Sequence, residues 1–303
     1  ARRMEDAIGR YIELIKLILK KDENLLGMKI VLDCANGAGY KVGTEALFEL
    51  GCEVVSIHKD PDGTNINENC GAMFPNEMAL KTKEVKADLG IALDGDADRV
   101  VFSDENGKLI DCDQILGVLA LNLYNQKQLK NNTVVGTIMT NIGFENFLNN
   151  NNINLKRVNV GDRYILDEML NNNYNLGGEP SGHVIMSDHT KSGDGLLTAI
   201  KIISLLKKSG KKASEFLRPF SITPYKIKNL KKINYNILET ERVQNSLKKI
   251  QLDLKNKYNG RLLVRPSGTE PIVRILVECE YDDKIDQYIL KAQDLLIKET
   301  SCE

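Results

Sequence analysis

Asp94-Gly95-Asp96-Ala97-Asp98-Arg99 sets three carboxylates at alternate positions, spaced by residues small enough for a tight loop, with an arginine directly after them. Three like charges this close repel unless a cation sits among them. Their hard oxygens suit Mg²⁺, and a divalent cation beside a guanidinium neutralises phosphate. Gly178-Glu179-Pro180-Ser181-Gly182-His183 sets a carboxylate, a hydroxyl and an imidazole between glycines that let a ligand approach the backbone. Such groups hydrogen-bond sugar hydroxyls. In Arg265-Pro266-Ser267-Gly268-Thr269-Glu270-Pro271, with Arg274 close behind, two hydroxyls, the backbone N–H groups of Gly268 and Thr269 and two guanidiniums converge. That is a phosphate clamp assembled without a metal.

Each loop has rival readings. A calcium loop would use Asp94, Asp96, Asp98 and Glu105, but Arg99 stands where a glycine is needed for the sharp turn. An aspartyl-nucleophile phosphatase would use Asp94 to attack phosphorus and Asp96 as acid/base, leaving Asp98 and Arg99 without roles. A solvated acidic turn, a structural histidine and a plain Pro-Ser-Gly turn are the bland alternatives. Lys226–Lys232 reads as a solvated face.

The loops need rigid elements to hold them. Leu89–Leu93 is a short apolar run, read as a buried strand that delivers Asp94. Strands are predicted at 29–33 and 52–57, with a helix over about 42–50 between them, a βαβ-like unit. A helix near 76–86 and a hairpin of 100–103 with 108–110 complete a first domain, residues 1–110. The rhythm then repeats, with a helix over 113–124, a strand at 134–138 and Asn141-Ile142-Gly143 turning into a helix as Asn36-Gly37 does. This second domain is placed at 111–218. Asn149–Asn152 and Asn171–Asn173 are read as loops, and Thr190–Gly195 as a loop capping the next helix. The remainder, 219–303, reads as a smaller α+β domain with strands near 222–228, 261–265 and 272–279 and helices near 239–257 and 282–298. At the other end, apolar residues at 8, 11, 12, 15, 18 and 19 fit one helical face. The chain opens Ala1-Arg2-Arg3-Met4 and enters this helix at once, which reads as a piece of something longer.

The 303 residues are 42% hydrophobic and 27% charged, with a formal net charge of -1. This composition builds ordinary globular cores and argues against nucleic-acid binding through bulk charge. Cys34, Cys52, Cys70, Cys112, Cys279 and Cys302 form no C-x-x-C pair, which favours reduced thiols in a cytoplasmic setting over disulfides or a zinc site. No apolar run approaches a membrane span, and no signal-like segment opens the chain. The expectation is no membrane partner. Oligomeric state is left open.

At its three loops the chain resembles the α-D-phosphohexomutase superfamily. Asp60-Pro61-Asp62-Gly63-Thr64-Asn65-Ile66-Asn67 with Cys70-Gly71-Ala72, and Val160-Gly161-Asp162-Arg163-Tyr164, resemble its phosphoglucosamine branch more than its phosphomannomutase branch. The resemblance implies an α/β fold, two similar α/β phosphohexomutase domains followed by the smaller α+β domain, equivalent to the family's second, third and fourth domains. It implies Mg²⁺ held by Asp94, Asp96 and Asp98, with Arg99 on the reacting phosphate. Glu179 and Ser181 would grip sugar hydroxyls and His183 would act as acid/base. Arg265, Ser267, Gly268, Thr269 and Arg274 would clamp the other phosphate, with Arg163 adding to the positive field. The implied substrate is a hexosamine phosphate, glucosamine 6-phosphate interconverting with glucosamine 1-phosphate through a bisphosphate. The family's phosphoserine lies in a Thr-x-Ser-His-Asn-Pro-like stretch of a first domain, and this sequence contains no such stretch. The expectation is a chain without its N-terminal nucleophile domain, inactive alone. A phosphomannomutase or phosphoglucomutase, a phosphatase using Asp94 and a non-catalytic sugar-phosphate binder remain the alternatives.

Overall fold

A computed structural model describes residues 6–21, 23–267 and 271–300. Its contacts divide into two compact units, one running to Thr140 and resuming over Phe144–Ser221, the other comprising Asn141–Gly143 and the chain from Ile222 onward.

In the first unit, α1 (Ala7–Lys16) precedes β1 (Lys29–Asp33), α2 (Gly39–Glu49), β2 (Glu53–Ile57), α3 (Asn76–Glu84), β3 (Leu89–Leu93), β4 (Val100–Asp104) and β5 (Leu109–Ile110). The five strands form one sheet in the order β2-β1-β3-β4-β5. β1 runs parallel to β2 and β3, and β3 antiparallel to β4. Every residue of β3 is buried, as a continuous apolar run covered on both faces requires. Then come α4 (Cys112–Asn125), β6 (Thr133–Thr137), α5 (Ile142–Asn150), β7 (Asn154–Val158), α6 (Asp162–Asn172), β8 (Leu176–Gly178), β9 (Val184–Met186), α7 (Gly195–Ser209) and α8 (Ala213–Phe216). The second sheet has the order β7-β6-β8-β9. β6 is parallel to β7 and β8, and β8 antiparallel to β9.

The pairing pattern of β2-β1-β3-β4 is therefore repeated in β7-β6-β8-β9. The acidic loop joins β3 to β4 and the Gly-Glu-Pro-Ser-Gly-His loop joins β8 to β9, so the two occupy the same place in the repeated topology. Each sheet also borrows a helix from the other half of the sequence. α7 follows β9 yet packs against β3, β4, α1 and α2, while α4 follows β5 and packs on β8. α7 is apolar nearly all round and mostly buried, as a helix enclosed on every side must be. One continuous core consequently runs from Ile12 to Leu217.

The second unit holds β10 (Tyr225–Lys231), α9 (Glu241–Tyr258), β11 (Arg261–Pro266), β12 (Ile272–Glu278) and α10 (Asp282–Thr300). Its sheet is antiparallel in the order β10-β12-β11, with a separate core that includes Val273, Ile275, Val277 and Tyr288.

Three sequence expectations need correction. The apolar face through residue 19 predicts a longer α1, but the helix stops at Lys16. Leu17, Ile18 and Leu19 donate instead to Leu14, Ile15 and Lys16, a tighter i→i+3 turn that keeps Ile18 and Leu19 buried. The asparagine tracts are helix ends, with Asn149 and Asn150 closing α5 and Asn171 and Asn172 closing α6. Asn152 and Asn173 follow in the left-handed region, which asparagine tolerates better than most residues. β7 and α6 also lie where no element is predicted. β7 is a half-exposed edge strand, and α6 buries only Ile165 and Met169, so neither leaves a strong apolar pattern.

The five described cysteines are buried and free. No described helix is long and apolar enough to cross a membrane.

Candidate active site

β3 ends at Leu93 and hands Asp94 into a turn that its own groups close. Its carbonyl accepts the Ala97 N–H at 3.0 Å, and its Oδ1 accepts the Arg99 N–H at 3.0 Å. Ala97 takes a left-handed φ of 61°, where a small side chain costs least. The turn gathers the carboxylates of Asp94, Asp96 and Asp98 to within 4.8 Å of one another. Asp94 is buried, Asp98 partly so and Asp96 exposed. Burial pushes the Asp94 carboxyl up to about 6, with Asp98 and Asp96 adding to the rise and the Arg99 N–H opposing it. Such a cluster is unfavourable by itself and is relieved by a cation. Strands flank it on both sides, which removes the helix–loop–helix calcium reading.

Three segments brace this turn. Ala38 N–H donates to Gly95 O at 2.8 Å, and a Cβ at Gly37 would lie 2.2 Å from that same oxygen. Gly195 N–H donates to Ala97 O at 2.9 Å, and Val100 N–H donates to Gly182 O at 3.0 Å. The last contact continues as an antiparallel bridge between Arg99 and His183. It joins the acidic loop directly to the loop between β8 and β9.

That second loop closes on itself through Glu179 N–H to His183 O at 3.0 Å and Gly182 N–H to Glu179 O at 3.1 Å. Ser181 Oγ donates to Glu179 Oε1 at 2.6 Å. His183 is 4% exposed, and its Nδ1 lies 3.2 Å from Asp98 Oδ2. Gly193 lies against the ring, since a Cβ there would fall 2.3–2.6 Å from three ring atoms. His183 Nε2 is buried and finds no hydrogen-bond partner among the described residues. Arg99 Nε is 3.8 Å from both Asp94 Oδ2 and Asp98 Oδ1, and the side chain is 38% exposed.

The fold thus brings together Asp94, Asp96, Asp98, Arg99, Glu179, Ser181 and His183. Arg163 stands apart near the start of α6, its side chain 86% exposed and paired with Asp167. In the second unit, Arg265 on β11 faces Arg274 on β12 in register. Burial and the Arg274 charge hold the Arg265 guanidinium below its usual value. Its Nε is buried and finds no partner among the described residues. Ser267 N–H donates to Ile272 O at 2.8 Å, which brings the strand ends together. Gly268 and Thr269 lie outside the described residues.

Sequence reasoning missed the supports. Tyr11 Oη donates to both oxygens of Asp194, at 2.8 and 2.9 Å, while Asp194 Oδ1 caps α7 through the Leu197 N–H. This ties α1 to the Gly193-Asp194-Gly195 segment under His183 and Arg99. The capping role read for Thr190–Gly195 matches this geometry. The tyrosine had no local signal, because its partner is 183 residues away.

Residues 9–107, 111–221 and 225–293 match, in that order, the families described as phosphoglucomutase/phosphomannomutase alpha/beta/alpha domain II, domain III and C-terminal domain. The chain is 44% identical over 289 residues to a phosphoglucosamine mutase of Rhizobium johnstonii, covering 95% of this chain and 64% of that protein. It is 46% identical over 292 residues to one of Thermodesulfovibrio yellowstonii, with the same shares covered. It therefore spans 64% of the length of these curated relatives. Among solved structures it resembles a phosphoglucomutase/phosphomannomutase family protein of Burkholderia thailandensis, with a TM-score of 0.78 at 21% identity, covering 95% of this chain and 64% of that one. It also resembles the Aspergillus fumigatus N-acetylphosphoglucosamine mutase in complex with GlcNAc-6P and magnesium, with a TM-score of 0.75 at 18% identity, covering 95% and 69%. With three consecutive domain matches and a shared fold along nearly its whole length, the chain belongs to the α-D-phosphohexomutase superfamily.

Proposed function

We propose that this chain supplies the metal, sugar and phosphate sites of a phosphoglucosamine mutase, which interconverts glucosamine 6-phosphate and glucosamine 1-phosphate through a bisphosphate. The observation that carries the reading is the contact between the two topologically equivalent loops, His183 Nδ1 at 3.2 Å from Asp98 Oδ2. It supports reading the metal loop and the sugar loop, separated by about eighty residues of sequence, as one site. The names of the relatives support the substrate class. Three domains at 1–110, 111–218 and 219–303 are part of the proposal, supported by the family matches.

The donor set fits Mg²⁺, with three carboxylates in one turn and a buried Asp94 held at about 6 by its burial and its neighbours. Asp94, Asp96 and Asp98 would hold the cation, which would supply positive charge beside a phosphoryl group. Arg99 holds a phosphate oxygen with a guanidinium that no described hydrogen bond engages. The Ser181–Glu179 hydrogen bond presets both groups for sugar hydroxyls. His183 keeps the Asp98 carboxylate oriented. The expected acid/base role for it requires movement of the Gly193 segment, because its Nδ1 faces Asp98 and its Nε2 is shut from solvent. Arg265 and Arg274 take the non-reacting phosphate. No Thr-x-Ser-His-Asn-Pro-like stretch occurs in the sequence, and the reading assigns the phosphoserine to none of its residues.

A phosphorus NMR time course tests this with the chain, Mg²⁺, glucosamine 6-phosphate and a trace of glucosamine 1,6-bisphosphate. The expected result is broadened substrate resonances without conversion. Accumulating glucosamine 1-phosphate would place the nucleophile within this chain. Released inorganic phosphate would favour a phosphatase using Asp94. Sharp, unshifted resonances over a folded chain would refute sugar-phosphate binding.

A further inference from the structure

Asp33 closes β1, His58 directly follows β2, and Cys70 ends the loop that returns from His58 to the sheet. Parallel pairing of β1 with β2 sets Asp33 opposite Ile57, the residue before His58. One ligand atom from each of Asp33, His58 and Cys70 then lies within 4.8 Å of the others. Asp33 and Cys70 are fully buried, and the His58 side chain is 22% exposed. A tetrahedral ion with bonds of ~2.0–2.3 Å needs donor atoms about 3.3–3.8 Å apart, within reach of small side-chain shifts.

Hydrogen bonding at the cluster is arranged as it is around a metal. Asp33 Oδ1 accepts the Ala35 N–H and Oδ2 the Gly71 N–H, both at 2.9 Å. This fixes the carboxylate and leaves each oxygen a further lone pair. His58 Nδ1 is buried and 3.1 Å from Asp33 Oδ2, yet it is not aligned to share a hydrogen with that oxygen. Its other nitrogen, Nε2, lies 3.3 Å from Glu77 Oε2. A histidine that ligates a metal through one nitrogen commonly donates the other N–H to such a carboxylate. His58 also holds a left-handed φ of 46°, a conformation uncommon outside glycine and retained where the surroundings demand it. Its carbonyl is pinned by the Asn36 N–H at 2.7 Å.

We propose that Asp33, His58 and Cys70 form a second cation site, selective for a borderline-soft divalent ion of the Zn²⁺ class, with Glu77 orienting the His58 ring. Sulfur and nitrogen donors separate it from the all-oxygen cluster of Asp94, Asp96 and Asp98. It lies behind that cluster. Gly71 sits so close to the Leu93 carbonyl that a Cβ there would be 2.5 Å away, and Leu93 immediately precedes Asp94. An ion here braces the floor of the acidic loop, and the inference stands whether or not the mutase reading does.

Cobalt titration of the reduced 303-residue chain in excess Mg²⁺ tests the proposal. The expected result is one equivalent of Co²⁺ with a near-ultraviolet thiolate-to-cobalt band and intense visible absorption, both abolished by Zn²⁺. Cys70→Ser loses the thiolate band and Cys52→Ser keeps it. Glu77→Gln, at a side chain 64% exposed and so compatible with folding, weakens Co²⁺ binding about 10–100-fold. A folded chain that shows no thiolate band, a band that survives Cys70→Ser, or an unchanged affinity in Glu77→Gln would each overturn it.

Discussion

Gly37→Ala adds one methyl group, and the structure states where it goes. The new Cβ would stand 2.2 Å from Gly95 O, 2.6 Å from its Cα and 2.7 Å from its carbonyl carbon. All three are backbone atoms, so no rotamer change relieves the overlap. Gly37 is not among the residues with positive φ, so the effect is one of contact rather than conformation. Either the Asn36–Ala38 turn or the acidic loop must retreat, and the 2.8 Å bond from Ala38 N–H to Gly95 O goes with it. Overpacking costs ~1–3 kcal/mol and the lost hydrogen bond ~0.5–1.5 kcal/mol, about 1.5–4.5 kcal/mol together. For a unit of this size that lowers Tm by about 3–18 °C, read on the transition of the first unit because two units need not melt as one. Mg²⁺ affinity, measured by calorimetry, falls at least about tenfold, because a retreat of Gly95 spreads the carboxylates on either side of it. Gly9→Ala is the control of opposite sign. Gly9 lies inside α1 with nothing within 4 Å of an added Cβ, so it gains up to ~1 kcal/mol of helix propensity. A Gly37→Ala chain as stable as the parent, with unchanged Mg²⁺ affinity, would refute the account of how the acidic loop is braced.

Metal-free chain has a defined pH signature. The Asp94 carboxyl lies at about 6 in the folded state against 3.8 ordinarily, so its contribution to stability is present below about pH 4 and lost as pH rises through about 6. Urea melts without metal should show this loss and saturating Mg²⁺ should remove it, while Mg²⁺ affinity falls about tenfold per pH unit below about 6 as the proton competes. Tyr11→Phe removes the donor to Asp194, a hydrogen bond to a charged group worth ~1.5–3 kcal/mol, and chemical denaturation should read a loss in that range. Arg265→Lys keeps the charge but loses the planar fork. Sugar-phosphate affinity by calorimetry should drop about tenfold or more with Mg²⁺ affinity unchanged, since the acidic loop lies in the other unit.

Legibility in the sequence followed the strength of the local pattern. Leu89–Leu93 is apolar without a break and is a fully buried strand with the bounds its residues predict. Lys29–Asp33 and the strands at 261–266 and 272–278 are nearly as plain. β7 was not legible, because an edge strand reading Asn-Leu-Lys-Arg-Val buries too little to leave a pattern. The acidic loop announces itself because its ligands are neighbours in the chain. The Asp33, His58 and Cys70 cluster does not, since its members are 25 and 12 residues apart and each looks ordinary where it stands.

Sequence alone determined the chemistry available, namely three carboxylates and an arginine in one turn, a Glu-Pro-Ser-Gly-His loop, and paired arginines on adjacent strands. Those features are local, and the forces that shape them act over a few residues of backbone. Tertiary structure alone decided which loops meet. The repeated strand order puts both loops at equivalent positions, the exchange of α4 and α7 fuses the two sheets into one core, and only then does His183 reach Asp98. Burial against distant partners sets those positions, and no short window of sequence carries that information.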